Sequence, residues 1–341
     1  MKRHILSSVW GRELALTVIM SVLLTAITCP QALAERYRTV VLAQNSFDPS
    51  SGVTMIAAKM GFFRKAGLNV RLINLTAGKL ALNAVLAGAA DFATVAETPL
   101  VHAGLSGQKV VIVATTETSY DDVRLIARSY IQRVRDLRGK KVATAIGTNA
   151  DYFLSLMLKR HGLSPDEVRI DNMSPQDMPV ALANNSIAAY AVWEPFVYRG
   201  RVLLGDKAKT FHNGHLYLNY FNIGALSHYV SRHNRTVRRF IVALIYAARF
   251  INKHPRESSA IIARTIGMRP ASFNHIWPAF HYKVSLEPAL LQLLKKEAAW
   301  AIRSRTAPRA ADVAVLKEMI VPGPFHAAVN QASQKHGRSG S

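Results

Sequence analysis

Residues 68–95 read LNVRLINLTAGKLALNAVLAGAADFATV, and this one stretch holds a complete strand–helix–strand unit. Residues 68–74 alternate apolar and polar side chains, the period of a strand. Residues 78–87 switch to helical spacing and stop at Gly88, after which residues 91–95 are short, apolar and β-branched. Two strands joined by a helix are parallel strands, since a parallel pair needs a crossover. Upstream, residues 37–43 (YRTVVLA) form another strand, residues 44–52 a polar loop, and residues 53–65 a helix that Gly67 closes. Downstream, residues 110–116 (VVIVATT) are a continuous apolar run, as expected of a strand covered on both faces. The alternation predicts a doubly wound α/β lobe.

The pattern then restarts. Residues 123–128 are strand-like, 136–140 a turn, and 141–146 a strand entering the turn Gly147-Thr148-Asn149. A helix over 150–161 ends at Gly162, Ser164 and Pro165 open a short element, residues 178–186 are helical, and 188–193 form a strand. This predicts a second α/β lobe over 123–222, with a strand at 222–229 returning the chain to the first. The expected organisation is therefore a discontinuous first lobe (35–122 and 223–330), a second lobe (123–222) and a disordered tail (331–341). From residue 234 onward helices are predicted over 236–252, 256–265, 270–280, 288–302 and 310–319. The most apolar of these stretches, FIVALIYAARFI at 240–251, contains Arg249 and is too short to span a bilayer, so it reads as a core helix.

Composition narrows the function. The 341 residues are 50% hydrophobic, which excludes a disordered or fibrous chain, and the length favours two lobes. The first 34 residues carry Lys2, Arg3 and Arg12, then the uncharged run LALTVIMSVLLTAIT at 14–28, then Ala32-Leu33-Ala34. That is the layout of a secretory signal peptide cut after Ala34, and it predicts a periplasmic protein. The single cysteine, Cys29, lies inside the leader, so no disulfide, thiol chemistry or cysteine-based metal centre is expected. The net charge of +22 taken alone suggests nucleic acid. Its distribution argues otherwise: residues 223–341 hold 18 basic and 5 acidic side chains, whereas residues 35–123 hold 8 and 7. The excess is expected on a solvated outer surface, with no nucleic-acid partner.

Enzyme templates are missing. There is no G-x-S-x-G elbow, Walker loop, G-x-G-x-x-G helix start or H-E-x-x-H, and the one close histidine pair, His212 and His215, lacks the acidic partner of a metal site. No cofactor is expected. What remains is a set of polar residues at the carboxyl ends of predicted strands, where open α/β sheets bind ligands. In the first lobe these are Asn45, Ser46, Thr76, Gly78, Glu97, Thr98 and Glu117; in the second, Thr148, Asn149, Tyr152, Trp193 and Glu194.

The segments GFFRKAGL (61–68), GAADFA (88–93) leading into Glu97-Thr98-Pro99, DLRGKKV (136–142), 147–153, HGLS (161–164) and WEPF (193–196) resemble, in order and spacing, the periplasmic solute-binding proteins of ABC importers for nitrate, sulfonates and taurine. The resemblance covers roughly residues 37–230. It implies a type II periplasmic-binding-protein fold, two lobes joined by a two-strand hinge near 119–124 and 221–224. It also implies binding without catalysis: a small anion or zwitterion enters between open lobes, favours closure, and a permease with its ATPase reads the closed, monomeric protein at the membrane surface. In that scheme the helix start at 148–150 holds an anionic head group, Thr76, Gly78 and Thr98 add hydrogen bonds, and Trp193 or Tyr152 supplies an apolar wall. The carboxylates Glu97, Glu117, Asp121, Asp151 and Glu194 fit poorly with a purely anionic ligand: either they are structural, Asp151 at a helix N-terminus and Glu97 paired with a lobe-bridging arginine, or they point to an amine-bearing or neutral heteroaromatic ligand. Two other classes fit the same resemblance, a pyrimidine-synthesis enzyme of thiamine-precursor type and a ligand-sensing partner of a membrane receptor. The first relies on cysteines that this chain lacks beyond its leader.

Overall fold

The computed structural model describes residues 38–337, so the leader and its cleavage site lie outside the described residues. The strands in chain order are β1 (Arg38–Asn45), β2 (Leu68–Leu75), β3 (Phe92–Ala96), β4 (Val110–Ser119), β5 (Val123–Arg128), β6 (Lys141–Thr144), β7 (Arg169–Asn172), β8 (Ala189–Trp193), β9 (Ala208–Phe211), β10 (Asn219–Leu226) and β11 (His281–Ser285). The helices are α1 (Gly52–Lys59), α2 (Phe62–Lys65), α3 (Gly78–Leu86), α4 (Glu97–Leu105), α5 (Asn149–Arg160), α6 (Met178–Ala183), α7 (Phe196–Leu204), α8 (Ser227–Arg232), α9 (Asn234–Lys253), α10 (Pro255–Thr265), α11 (Pro270–Phe273), α12 (Pro288–Arg303), α13 (Val315–Glu318) and α14 (Pro322–Gly337).

They build two sheets. The first has six strands in the order β11-β4-β10-β3-β1-β2, with β1, β2 and β3 parallel and β10 antiparallel to its neighbours. The second has five, in the order β7-β6-β8-β5-β9. Successive residues of the first sheet point to opposite faces. Leu42, Phe92, Val111 and Val113 pack under α1 and α9, while Ala43, Val95 and Ile112 pack under α3, α4 and α12. Both faces are dry, which is why β4 reads as an unbroken apolar run. Phe92 stacks on Phe240 of α9 at 4.2 Å between ring centroids, so the apolar 240–251 stretch is a core helix. No helix among the described residues is long and apolar enough to cross a membrane.

Several elements depart from the expectation. The helix predicted over 53–65 breaks into α1 and α2 at Gly61, whose φ of 70° is left-handed and ends the first turn sequence. Glu97-Thr98-Pro99 is the first turn of α4 rather than a loop. Residues 270–280 divide into α11 and a short 3-10 turn at Trp277–Ala279. The C-terminal third is not wholly helical. β11 lies on the outer edge of β4, held there by Tyr282, whose hydroxyl donates to the Pro49 carbonyl at 2.8 Å. The tail expected to be disordered from 331 is helical as far as Gly337, because α14 buries Ala328 and Ala332 and Arg249 donates to the Ala332 carbonyl at 3.2 Å. Residues 221–224 sit inside β10, in register with β3 and β4, so the chain crosses between sheets at 120–122 and 212–218.

Candidate ligand-binding cleft

Both sheets aim the carboxyl ends of their parallel strands at one another. β1 ends at Asn45, β3 at Ala96 and β8 at Trp193, while β6 leads through Gly147 and Thr148 into α5. Asn45, Asp48, Gly78, Lys79, Ala96, Pro99 and Phe221 from the first lobe and Thr148, Asn149 and Trp193 from the second line one pocket between them. Gly78 is required there by packing: a Cβ would lie 3.0 Å from the Val95 Cα. The lobes touch across the pocket. Lys79 Nζ donates to the Ile146 carbonyl at 3.0 Å, Asn149 Nδ2 to Asn219 Oδ1 at 2.9 Å, and the Glu194 N–H to Asp122 Oδ1 at 3.1 Å.

Of the residues predicted from sequence, Asn45, Gly78, Thr148, Asn149 and Trp193 line this pocket. The others fall around it. Ser46 donates to Asn74 Oδ1 at 2.6 Å, and Thr76 is half-buried on the connection before α3. Glu97 accepts the Tyr217 hydroxyl and, at 3.2 Å, the Tyr220 N–H, while Thr98 donates to Glu297 at 2.7 Å. Tyr152 packs edge-on to Tyr217 and to Trp300 of α12, at 5.6 and 5.2 Å, away from the pocket wall. Glu194 accepts the Tyr198 N–H at 2.8 Å and lies 3.6 Å from Arg124. The helix start of α5 is partly claimed by the chain itself, since Asp151 accepts the Gly147 N–H at 2.9 Å and Thr148 Oγ1 donates to the Ala145 carbonyl at 2.6 Å.

Sequence reasoning missed Asp48, Lys79, Asp122 and Phe221. Asp48 had a local signal: Asp-Pro-Ser-Ser is a capping sequence, and its carboxylate accepts the Ser50 N–H at 2.8 Å. Asp122 and Phe221 fell in the expected hinge segments, but only the crossing of the chain between sheets brings them to the cleft.

The cleft is rich in buried acid. Burial pushes the carboxyls of Asp48 and Glu194 up to about 7, against hydrogen bonds from Ser50 and the pull of Arg124 respectively. Burial, then neighbouring carboxylates, raises Glu117 and Asp122 well above the carboxylate range. Behind the pocket, burial also raises Glu97 to about 7, and burial with the charge of Glu97 raises Glu297 further. Two carboxyls so close and so dry each disfavour the other's ionisation. No cluster of three or more histidine, cysteine, aspartate or glutamate side chains with metal-binding geometry occurs among the described residues.

Solved structures of similar fold include binding proteins. The periplasmic aliphatic sulphonate binding protein of Escherichia coli superposes with a TM-score of 0.71 at 18% identity, covering 81% of this chain and 91% of that one. The alkanesulfonate-binding protein of Xanthomonas axonopodis pv. citri, solved with MOPS bound, gives 0.74 at 18% identity, with 83% and 98% covered. These place the chain in the periplasmic-binding-protein fold. In sequence, a binding protein of Brucella abortus (strain 2308) is 28% identical over 233 residues, 65% of this chain and 70% of its own. These three are described as binding proteins rather than enzymes. Residues 48–258 match the family described as NMT1/THI5 like, which is more than half of the sequence, and the chain belongs to that family.

Proposed function

We propose that this protein is the extracytoplasmic substrate-binding subunit of an ABC importer, taking a small anion or zwitterion of the sulfonate, taurine or nitrate type between its lobes and presenting the closed form to a permease and its ATPase. The observation that carries the proposal is a pocket walled by both lobes at the carboxyl ends of their strands, with the unpartnered Trp193 indole N–H and the α5 helix start on one side and Asn45 and Gly78 on the other. A ligand touching both walls favours closure by the contacts it gains there. Nothing in the pocket is arranged as a nucleophile with a base, so the ligand leaves unchanged. The leader and the relatives' descriptions support an extracytoplasmic setting, and the exposed basic side chains of the C-terminal third face solvent rather than ligand.

Isothermal titration and small-angle scattering with ethanesulfonate, taurine and nitrate test this. At least one should bind and reduce the radius of gyration. No heat and no compaction with any small ligand would count against a two-lobe binding protein. Trp193→Ala should weaken the bound ligand about tenfold or more, since a buried aromatic wall and its N–H are lost together. Unchanged affinity would remove Trp193 from the site.

A further inference from the structure

One buried carboxyl, Asp48, lines the cleft, and three more lie behind it near enough to feel one another's charge. Asp48 stands in the loop after β1, Glu117 in β4, Asp122 in the crossing segment and Glu194 at the end of β8, and none is more than 3% exposed. Glu117 pairs in register with Phe221, so the two side chains stand on the same face of the sheet, and Phe221 lines the pocket. The charged and titratable groups around the cluster are Arg124, Arg201 and Asp121 beside Glu194, His212 beside Asp121, Glu97 and the Tyr282 phenol beside Glu117, and Lys79, which lines the pocket with Asp48 but donates to the Ile146 carbonyl. Arg124 is shared between Asp121 and Glu194, at 3.5 and 3.6 Å, which leaves Asp48, Glu117 and Asp122 without a cation of their own.

Their hydrogen bonding is incomplete as well. Glu117 has only loose contacts with the Ser50 hydroxyl and the His281 N–H, neither of good hydrogen-bond geometry, and Oδ2 of Asp122 and Oε1 of Glu194 make no well-formed hydrogen bond among the described residues. A buried polar atom left unpaired costs about 1–3 kcal/mol, and more when it is charged. Acceptors in excess call for a donor. Across the pocket, Trp193 of the second lobe adds an aromatic ring of the kind a cation also favours.

We propose that the acidic end of the cleft recognises a protonated amine or amidine on the ligand, donating to Asp48, Glu117 and Asp122, and that its binding releases to solvent a proton these carboxyls hold in the unliganded protein. A cation brought beside a protonated carboxyl favours the carboxylate, so the O–H bond breaks and the proton passes to buffer. The ligand is then a cation or a zwitterion with its positive end here and any anionic group toward Thr148 and Asn149, which excludes nitrate and simple alkanesulfonates as the preferred substrates. This rests on the cleft being the ligand site.

Benzylammonium and benzenesulfonate share a ring and differ in sign, so titrating the protein with each is the test. Benzylammonium should bind at millimolar concentration or better, tighten about tenfold from pH 5.5 to pH 8, and give heats that differ between phosphate and Tris by the ionisation of one released proton. Glu117→Gln and Asp122→Asn, which keep shape and lose charge, should each weaken it about tenfold and abolish the buffer dependence, while the surface variant Asp166→Asn changes nothing. The wild-type buffer comparison stands even if a variant folds poorly. Binding of benzenesulfonate in preference to benzylammonium, no binding of benzylammonium, or binding without proton release would overturn the proposal. If ethanesulfonate or nitrate compacts the protein while benzylammonium does not, the cation site fails and the importer assignment survives; if no ligand of either sign compacts it, both fail.

Discussion

Glu97→Ala should lower the free energy of unfolding by about 2–5 kcal/mol, whereas Glu97→Gln should cost far less. The carboxylate of Glu97 is the acceptor for the Tyr217 hydroxyl and for the Tyr220 N–H, both on the strand-bound return from the second lobe, and Tyr217 is itself buried. Alanine strands two buried donors at once, each carrying a desolvation cost of about 1–3 kcal/mol. Glutamine keeps an acceptor oxygen and adds an amide donor beside the neighbouring Glu297, with no charge to bury. Urea denaturation of the two variants measures the difference. A loss under about 1 kcal/mol for Glu97→Ala would mean that Tyr217 and Tyr220 find other partners, Asn219 Oδ1 at 3.2 Å from the Tyr217 hydroxyl being the first available. The structural consequence is that Glu97, adjacent to the pocket in sequence, anchors the chain's return to the first lobe.

The ligand-free protein should lose stability as the pH rises from about 5 to about 8. Asp48, Glu97 and Glu194 titrate near 7 in the folded state, and burial holds Glu117 and Asp122 well above the carboxylate range, against about 4 when unfolded. In that window the folded chain binds more protons than the unfolded one, so ΔG of unfolding falls with increasing pH. Stability is whole below the unfolded values and is lost as the pH passes through the folded ones. Glu117→Gln removes one such group. It should raise the melting temperature at pH 8, where the wild type must either bury a charge or hold a proton against solvent, and leave it nearly unchanged at pH 5. A wild-type melting temperature that climbs steadily from pH 5 to pH 8 would contradict the buried acidic cluster. A ligand cation that satisfies the cluster should flatten the dependence.

Much of this protein was legible before its fold was known. The parallel strands β1, β2 and β3, the helix α3 between them and the core helix α9 follow from periods of 2 and 3.6 and from glycines at their ends, all of them local properties. So do the loops at strand ends that contribute Asn45, Gly78, Thr148, Asn149 and Trp193 to the pocket. The short strands β7, β9 and β11 were not legible, because their side chains are half-exposed or irregular and each exists by pairing with a neighbouring edge far away in sequence. Motif spacing also brought Glu97 and Thr98 close to the site without showing that α4 turns their side chains onto Tyr217 and Glu297.

Charge shows the division most clearly. The sequence by itself determined a strongly basic chain whose excess lies in its last third, and a family of two-lobed binding proteins. Only the tertiary structure placed Asp48, Glu117, Asp122 and Glu194, up to about 150 residues apart, in one water-poor corner beside a single shared arginine. Net charge is a sum over the chain, but a ligand meets the local field, and in a low-dielectric cleft the nearest few groups outweigh twenty distant, solvent-screened ones.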